Sequence, residues 1–267
     1  MRDTKQKTIF EKSIKGKIGF SLPQSDCPNI KIEDCIKPEL LKKNPLNLPE
    51  LSEPEVVRHF VNLSSKNHHI DKGFYPLGSC TMKYNPKIND VIAGFDNIKN
   101  IHPLQNQETT QGCLEIMYNL EKILCSITGM DSVTLQPSAG SQGELAGILV
   151  MKKYHEKNKN NKKNIIIPES AHGTNPASVV LGGFKPIKVG TNKKGRVDIE
   201  DLKSKVNEDT AGMMLTQPNT LGIFEKDILK ISKLIHSVDG LMYMDGANLN
   251  ALLSISRPAD MGFDITH

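Results

Sequence analysis

The sequence predicts an α/β domain built on a mainly parallel β-sheet with helices on both faces, and three observations carry that prediction. From residue 110 onward, short apolar runs alternate with stretches of helical periodicity. The runs SVTLQ (132–136), NIIIP (164–168), FKPIKV (184–189), GMMLT (212–216) and LMYMD (241–245) are short and separated by helical stretches, as expected of a parallel sheet covered on both faces. The 267 residues are enough to enclose one large core.

Taken in order, residues 1–70 are punctuated by Pro23, Pro28, Pro38, Pro45, Pro49 and Pro54 and read as an extended arm. One short helix is expected within it. Ser52 is placed to cap it, Pro54 suits its first turn, and Val56, Val57, Phe60 and Val61 supply an apolar side. Residues 71–109 include FYPLGSCTMKYNP (74–86), a Gly- and Pro-rich segment too irregular for helix or strand. Leu114, Met117, Leu120, Ile123, Leu124 and Ile127 then recur at intervals of three and four, which predicts an amphipathic helix closed by Gly129. Further helices are expected from Gly143 to Tyr154, from Asn175, over 198–207 and over 225–237, each between two of the strands. The run KYHEKNKNNKKN (153–164) reads as a solvated surface turn.

Composition narrows the function classes. With 34 Lys plus Arg against 30 Asp plus Glu the net charge is only +4, and just four residues are arginine, so a nucleic-acid partner is not expected. No apolar stretch approaches the ~18 to 20 residues of a membrane span. Five cysteines without paired C-x-x-C spacing read as free thiols in a reducing compartment. The opening MRDTKQKTIFEKS lacks the apolar core of a secretion signal, which points to the cytoplasm. His68 and His69 have no supporting ligands at metal-site spacing, so no metal is expected.

Ligands of doubly wound sheets sit beyond the carboxyl ends of the strands, and four such ends carry unusual residues. After SVTLQ, Ser138, Ala139 and Gly140 lead into a helix N-terminus, which can cradle a phosphate or serve as a tight turn. Neither a P-loop nor a G-x-G-x-x-G pattern is present there. After NIIIP, His172 lies among small residues that would let an aromatic ligand stack on its ring, though a turn histidine has the same surroundings. After GMMLT, Asn219 and Thr220 offer an amide and a hydroxyl to a phenolic oxygen, or form an ordinary turn. Asp245 closes an apolar strand and must be partnered to stay charged, by a protonated pyridine nitrogen or as a helix cap. In that chain order, these four features make up the protein side of a pyridoxal phosphate site.

The stretches IFEKS, GFSLP, YPLGSCTMKYNP, HPLQ (102–105), QPSAGSQGELAG, PESAHGTNPAS, QPNTLGIFE and MDGANLNAL resemble the glycine cleavage system P-protein, glycine dehydrogenase (decarboxylating). The similarity runs the whole length, and the IFEKS opening resembles the second subunit of the two-gene bacterial form. The resemblance implies the large domain of a fold type I, aspartate-aminotransferase-like enzyme. It implies glycine decarboxylation with transfer of the aminomethyl group to the lipoyl arm of H-protein, and pairing with P-protein subunit 1 in a heterotetramer of two dimers. Carried over by residue, it places Ser138, Ala139 and Gly140 at the phosphate, His172 over the ring and Asn219 or Thr220 near the phenolic oxygen. Asp245 falls on the pyridine nitrogen, with Ala247 beside it. Ser79, Cys80, Lys83 and Tyr84 fall in an entrance loop, where Lys83 or Tyr84 would meet the glycine carboxylate and Cys80 is not a nucleophile. In the family pattern the Schiff-base lysine and a C-terminal domain lie beyond His267. The 267 residues alone are therefore expected to bind cofactor weakly and to be inactive. A non-catalytic partner subunit and another fold type I enzyme are the alternatives; His172 and Asp245 argue against the first.

Overall fold

The structure, a computed structural model, describes residues 6–44, 46–74 and 83–267. The chain divides into two compact units, the first comprising the described residues up to Phe74 with Lys83 and Tyr84, the second residues 85–267.

The described residues of the first unit are largely irregular, with α1 (Ile32–Cys35), a 3-10 turn (Pro38–Leu40) and α2 (Glu53–Ser64). Helix α2 starts where the sequence places it. Ser52 and Glu55 form a reciprocal capping box and Pro54 occupies the first turn. The Glu55 carboxylate also takes a bond of 2.6 Å from Lys17 Nζ, tying the arm to the helix start. The expected apolar side is not a buried one: Val57, Phe60 and Val61 are exposed, and the residue that α2 buries is His59, 3.1 Å from Lys12 Nζ.

The second unit opens with α3 (Lys87–Ala93), α4 (Asp96–Lys99) and α5 (Gln111–Thr128). Gly129 ends α5 in the left-handed region at φ 76° and donates to Cys125 O at 2.8 Å, the closure its position predicts. Then follow α6 (Gly140–Lys157), β1 (Asn164–Pro168), α7 (Thr174–Leu181), β2 (Lys185–Val189), α8 (Ile199–Lys205), β3 (Thr210–Thr216), α9 (Ile228–His236), β4 (Leu241–Asp245) and β5 (Ile265–Thr266). The expected strand SVTLQ does not form. Residues 132–136 have no ladder partner among the described strands, and a run of β-formers becomes a strand only when a neighbour pairs with its backbone.

The sheet runs β2-β1-β3-β4-β5 and every pairing is parallel. The chain leaves β1 outward to β2 and returns to β3 on the other side, so the strand order reverses around β1. The two-residue period of the strands divides the core. Ile165, Ile167, Met214 and Tyr243 meet Ile148 and Met151 of α6 and Val179 of α7. Ile166, Met213, Leu215, Met242 and Met244 meet Leu202 of α8 and Ile228, Ile231 and Ile235 of α9. Helix α6 comes very close to β4: a Cβ at Gly147 would lie 2.2 Å from Tyr243 Cε2. No helix among the described residues is long and apolar enough to cross a membrane.

Candidate functional site

Three elements bring polar side chains together at the carboxyl end of β4. Asp245 is the last residue of that strand and is 3% exposed. Its Oδ2 accepts from Asn175 Nδ2 of α7 at 3.1 Å and its Oδ1 from the Ala247 backbone N–H at 3.1 Å. Two donors, one from the facing helix and one from its own turn, compensate the burial of the charge and fix the plane of the carboxylate. Asn175 is fully buried, and its Oδ1 has no hydrogen-bond partner.

His267, just past β5, joins the group. Its Nε2 lies 3.6 Å from Asp245 Oδ1 and 3.9 Å from Glu144 Oε1, and its Nδ1 lies 3.0 Å from the Tyr243 hydroxyl. Tyr243 is completely buried and its hydroxyl also reaches Gly143 O at 3.2 Å. Burial first, then the Glu144 and Asp245 carboxylates, push the phenol far above its ordinary value, so it stays protonated. Glu144 accepts from Thr174 Oγ1 at 2.6 Å and Ser178 Oγ at 2.8 Å. Glu144, Asp245 and His267 bring ligand-type atoms within 4.8 Å of one another, and all four carboxylate oxygens already accept a hydrogen bond.

The start of α6 supplies backbone donors. Ala139 is its extended N-cap, and the N–H groups of Gly140 and Ser141 precede the first intrahelical bonds. A Cβ at Gly140 would meet nothing within 4 Å, so this helix start faces open space. Ser138 N donates to Gln142 Oε1 at 2.9 Å, and the Ser138 hydroxyl bonds the same oxygen. Past β1, His172 is exposed between Ala171 and Gly173, with its Nδ1 2.8 Å from Thr174 Oγ1.

Past β3, Asn219 is occupied within its own turn. Its Oδ1 accepts from Leu221 N and Ile223 N, both at 3.0 Å, and its Nδ2 donates to Gly195 O at 2.8 Å. Thr220 Oγ1 donates to Ser170 O at 2.7 Å, which leaves its lone pairs for a further donor. Thr216 lines a small cavity with Ser170, Asn219 and Glu225, and its hydroxyl is buried without a partner. Of the entrance-loop residues, Ser79 and Cys80 lie outside the described residues, and Lys83 and Tyr84 are exposed members of the first unit. Glu144, Tyr243, Asn175 and His267 escaped the sequence reading. Glu144 stood inside a quoted motif, and its only signal was a carboxylate one turn into a helix whose neighbours are small or apolar.

The sequence model of the family described as Glycine cleavage system P-protein matches residues 25–267. Proteins of Bacillus thuringiensis (strain Al Hakam) and Bacillus cytotoxicus named "Probable glycine dehydrogenase (decarboxylating) subunit 2" are 53% identical over 268 residues. The match takes in 100% of this chain and 55% of each relative, so the chain spans about half the length of the curated relatives it matches. Among solved structures, a glycine decarboxylase (P-protein) of the glycine cleavage system in inhibitor-bound form superposes with a TM-score of 0.66 at 20% identity, covering 88% of this chain and 53% of that one. A sphingosine-1-phosphate lyase from Burkholderia pseudomallei gives 0.51 at 14% identity over 79% of this chain and 51% of its own. The expected fold class, the α/β large domain of fold type I with a parallel sheet, is the one observed. With a family match over nearly all of its residues and a shared fold, the chain belongs to the glycine cleavage system P-protein family.

Proposed function

We propose that this chain forms the cofactor-binding part of an enzyme that decarboxylates glycine and passes the remaining aminomethyl group to the lipoyl arm of H-protein. It would work in the cytoplasm as pyridoxal-phosphate subunit beside a partner P-protein subunit. The observation that carries the reading is Asp245, a carboxylate buried at the end of a central strand and held in one plane by Asn175 and Ala247. Pyridoxal phosphate, when bound, supplies an electron sink for the pair left on the α-carbon as CO2 departs.

The residues fit that group. A buried carboxylate with a fixed plane suits a protonated pyridine nitrogen and keeps the proton there. The Gly140 and Ser141 N–H groups, at the positive end of an 18-residue helix that opens on free space, suit a phosphate, with Ser138 and Ala139 beside them. The exposed His172 ring, flanked by Ala171 and Gly173, can lie flat against an aromatic face. Thr220 keeps lone pairs for a phenolic oxygen, whereas Asn219 serves its turn; of the two, Thr220 is the contact we favour. The assignment of Ser79, Cys80, Lys83 and Tyr84 to the glycine entrance rests on the sequence resemblance alone.

The test is Asp245→Asn in the protein that carries this chain, assembled with its partner subunit. Cofactor uptake is read from visible absorption, and turnover from glycine-dependent exchange of labelled CO2 in the presence of lipoylated H-protein. Losing one charge-assisted hydrogen bond of about 2 kcal/mol lowers cofactor affinity about thirtyfold, and exchange falls to background. Wild-type affinity and exchange in Asp245→Asn would overturn the reading.

A further inference from the structure

Glu144 has no part in the cofactor contacts proposed above, yet it is 4% exposed and joins two helices. Its Oε1 takes the Thr174 hydroxyl at 2.6 Å and its Oε2 the Ser178 hydroxyl at 2.8 Å, the arrangement of an ionised carboxylate with both oxygens accepting. A threonine hydroxyl has one proton. Once that proton points at Glu144, Thr174 Oγ1 has only lone pairs to offer its other neighbour, His172 Nδ1, at 2.8 Å. That contact is a hydrogen bond only if Nδ1 carries the imidazole proton. The neutral ring then keeps its lone pair on Nε2, at the edge away from Thr174. The competing partner of Nδ1, the Thr174 backbone N–H, is farther away at 3.3 Å, and choosing it would set two lone pairs facing each other across 2.8 Å.

We propose that Glu144 and Thr174 are positioning residues that fix the tautomer of His172, so that its exposed Nε2 edge is a hydrogen-bond acceptor at the ligand site. The use of that acceptor rests on the cofactor reading, which places a bound molecule against His172; the tautomer itself does not. An acceptor there would receive an N–H donor of the bound amino acid.

The experiment is a long-range proton–nitrogen correlation spectrum of the protein that carries this chain, labelled with 15N at histidine and assembled with its partner subunit, at a pH well above the ordinary histidine range. The His172 signal is assigned by its loss in His172→Gln. The expected pattern is a protonated Nδ1 and a bare Nε2. Thr174→Val keeps the shape but deletes the hydroxyl, leaving a backbone N–H as the neighbour of Nδ1, so the proton moves to Nε2 and the Nδ1–H form becomes minor. Thr174→Ser restores the wild-type pattern. A wild-type ring protonated on Nε2, or an unchanged tautomer in Thr174→Val, overturns the proposal. Titrating pyridoxal phosphate into the same samples separates the two readings. The expected tautomer without cofactor uptake sinks the cofactor reading and sustains this one, and uptake with the opposite tautomer does the reverse.

Discussion

Replacing Gly147 by alanine measures how tightly α6 is pressed against β4. On helix propensity alone the change stabilises, since glycine inside a helix costs about 1 kcal/mol relative to alanine. The packing opposes it. An ideal Cβ at this position lies 2.2 Å from Tyr243 Cε2, 2.7 Å from its hydroxyl and 2.8 Å from Cζ, against an optimal carbon–carbon separation of about 3.5–4.0 Å. Tyr243 has no exposed surface and sits in register between Met214 and Ile265, so its ring cannot swing aside freely. Overpacking of this kind costs about 1–3 kcal/mol. A displaced ring also stretches the hydroxyl bonds to Gly143 O (3.2 Å) and His267 Nδ1 (3.0 Å), each contributing about 1 kcal/mol. The expected balance is a loss of about 2–3 kcal/mol. It should appear as a lower urea midpoint with an unchanged slope, followed by far-UV circular dichroism. In a Tyr243→Leu background the same alanine should cost much less, because the colliding ring is gone. A midpoint at or above wild type, or an equal loss in both backgrounds, would refute the close approach.

Two predictions concern pH. The Glu55 carboxyl is held at about 2, well below its ordinary 4.5, chiefly by the Lys17 ammonium and then by the Ser52 backbone N–H and hydroxyl. Its support for the start of α2 is therefore complete above 4.5 and is lost as pH falls toward 2. A carbon-detected titration of Glu55 should show the low midpoint, and Lys17→Gln should move it up toward 4.5; a wild-type midpoint already there would contradict the ion pair. His155 moves the opposite way for its class. Burial pushes its imidazole below the ordinary 6.5, although the bond to Ala211 O partly offsets this. The unfolded chain then binds the extra proton, so stability is full above about 6.5 and declines below it. Unfolding midpoints across that range should slope less in His155→Leu, and an identical slope would show that His155 is not responsible.

The strands were legible where apolar runs were unbroken, because burial on both faces of a parallel sheet leaves a local mark. NIIIP, GMMLT and LMYMD needed no knowledge of their neighbours, and Ser52 with Glu55 announced a helix start through purely local bonds. SVTLQ, with only Val133 and Leu135 apolar, is not a strand, since pairing is a property of two segments. The reverse holds for β5, whose two residues are too few to show a period and are strand only through Tyr243 and Met244 beside them. At the site, Asp245 was readable because a carboxylate ending an apolar run must find a partner. Glu144 was not, because its importance comes from α6 meeting α7, which sets it against Ser178 34 positions later.

Because every ladder in the sheet is parallel, none can begin from a hairpin, and the bonds that assemble the site join residues 30, 70 and 100 positions apart. A short segment carries only local pieces of it, such as Asp245 with Ala247 or His172 with Thr174. A molecule that settles between Asp245 and the start of α6 must therefore discriminate sharply between folded and unfolded chain, and its binding energy is passed by mass action to the whole domain. At a hundred times its Kd such a ligand adds about 2.7 kcal/mol to folding. The same non-local wiring that makes a sheet of this kind slow to assemble would make any small molecule bound at its rim a latch for all five strands.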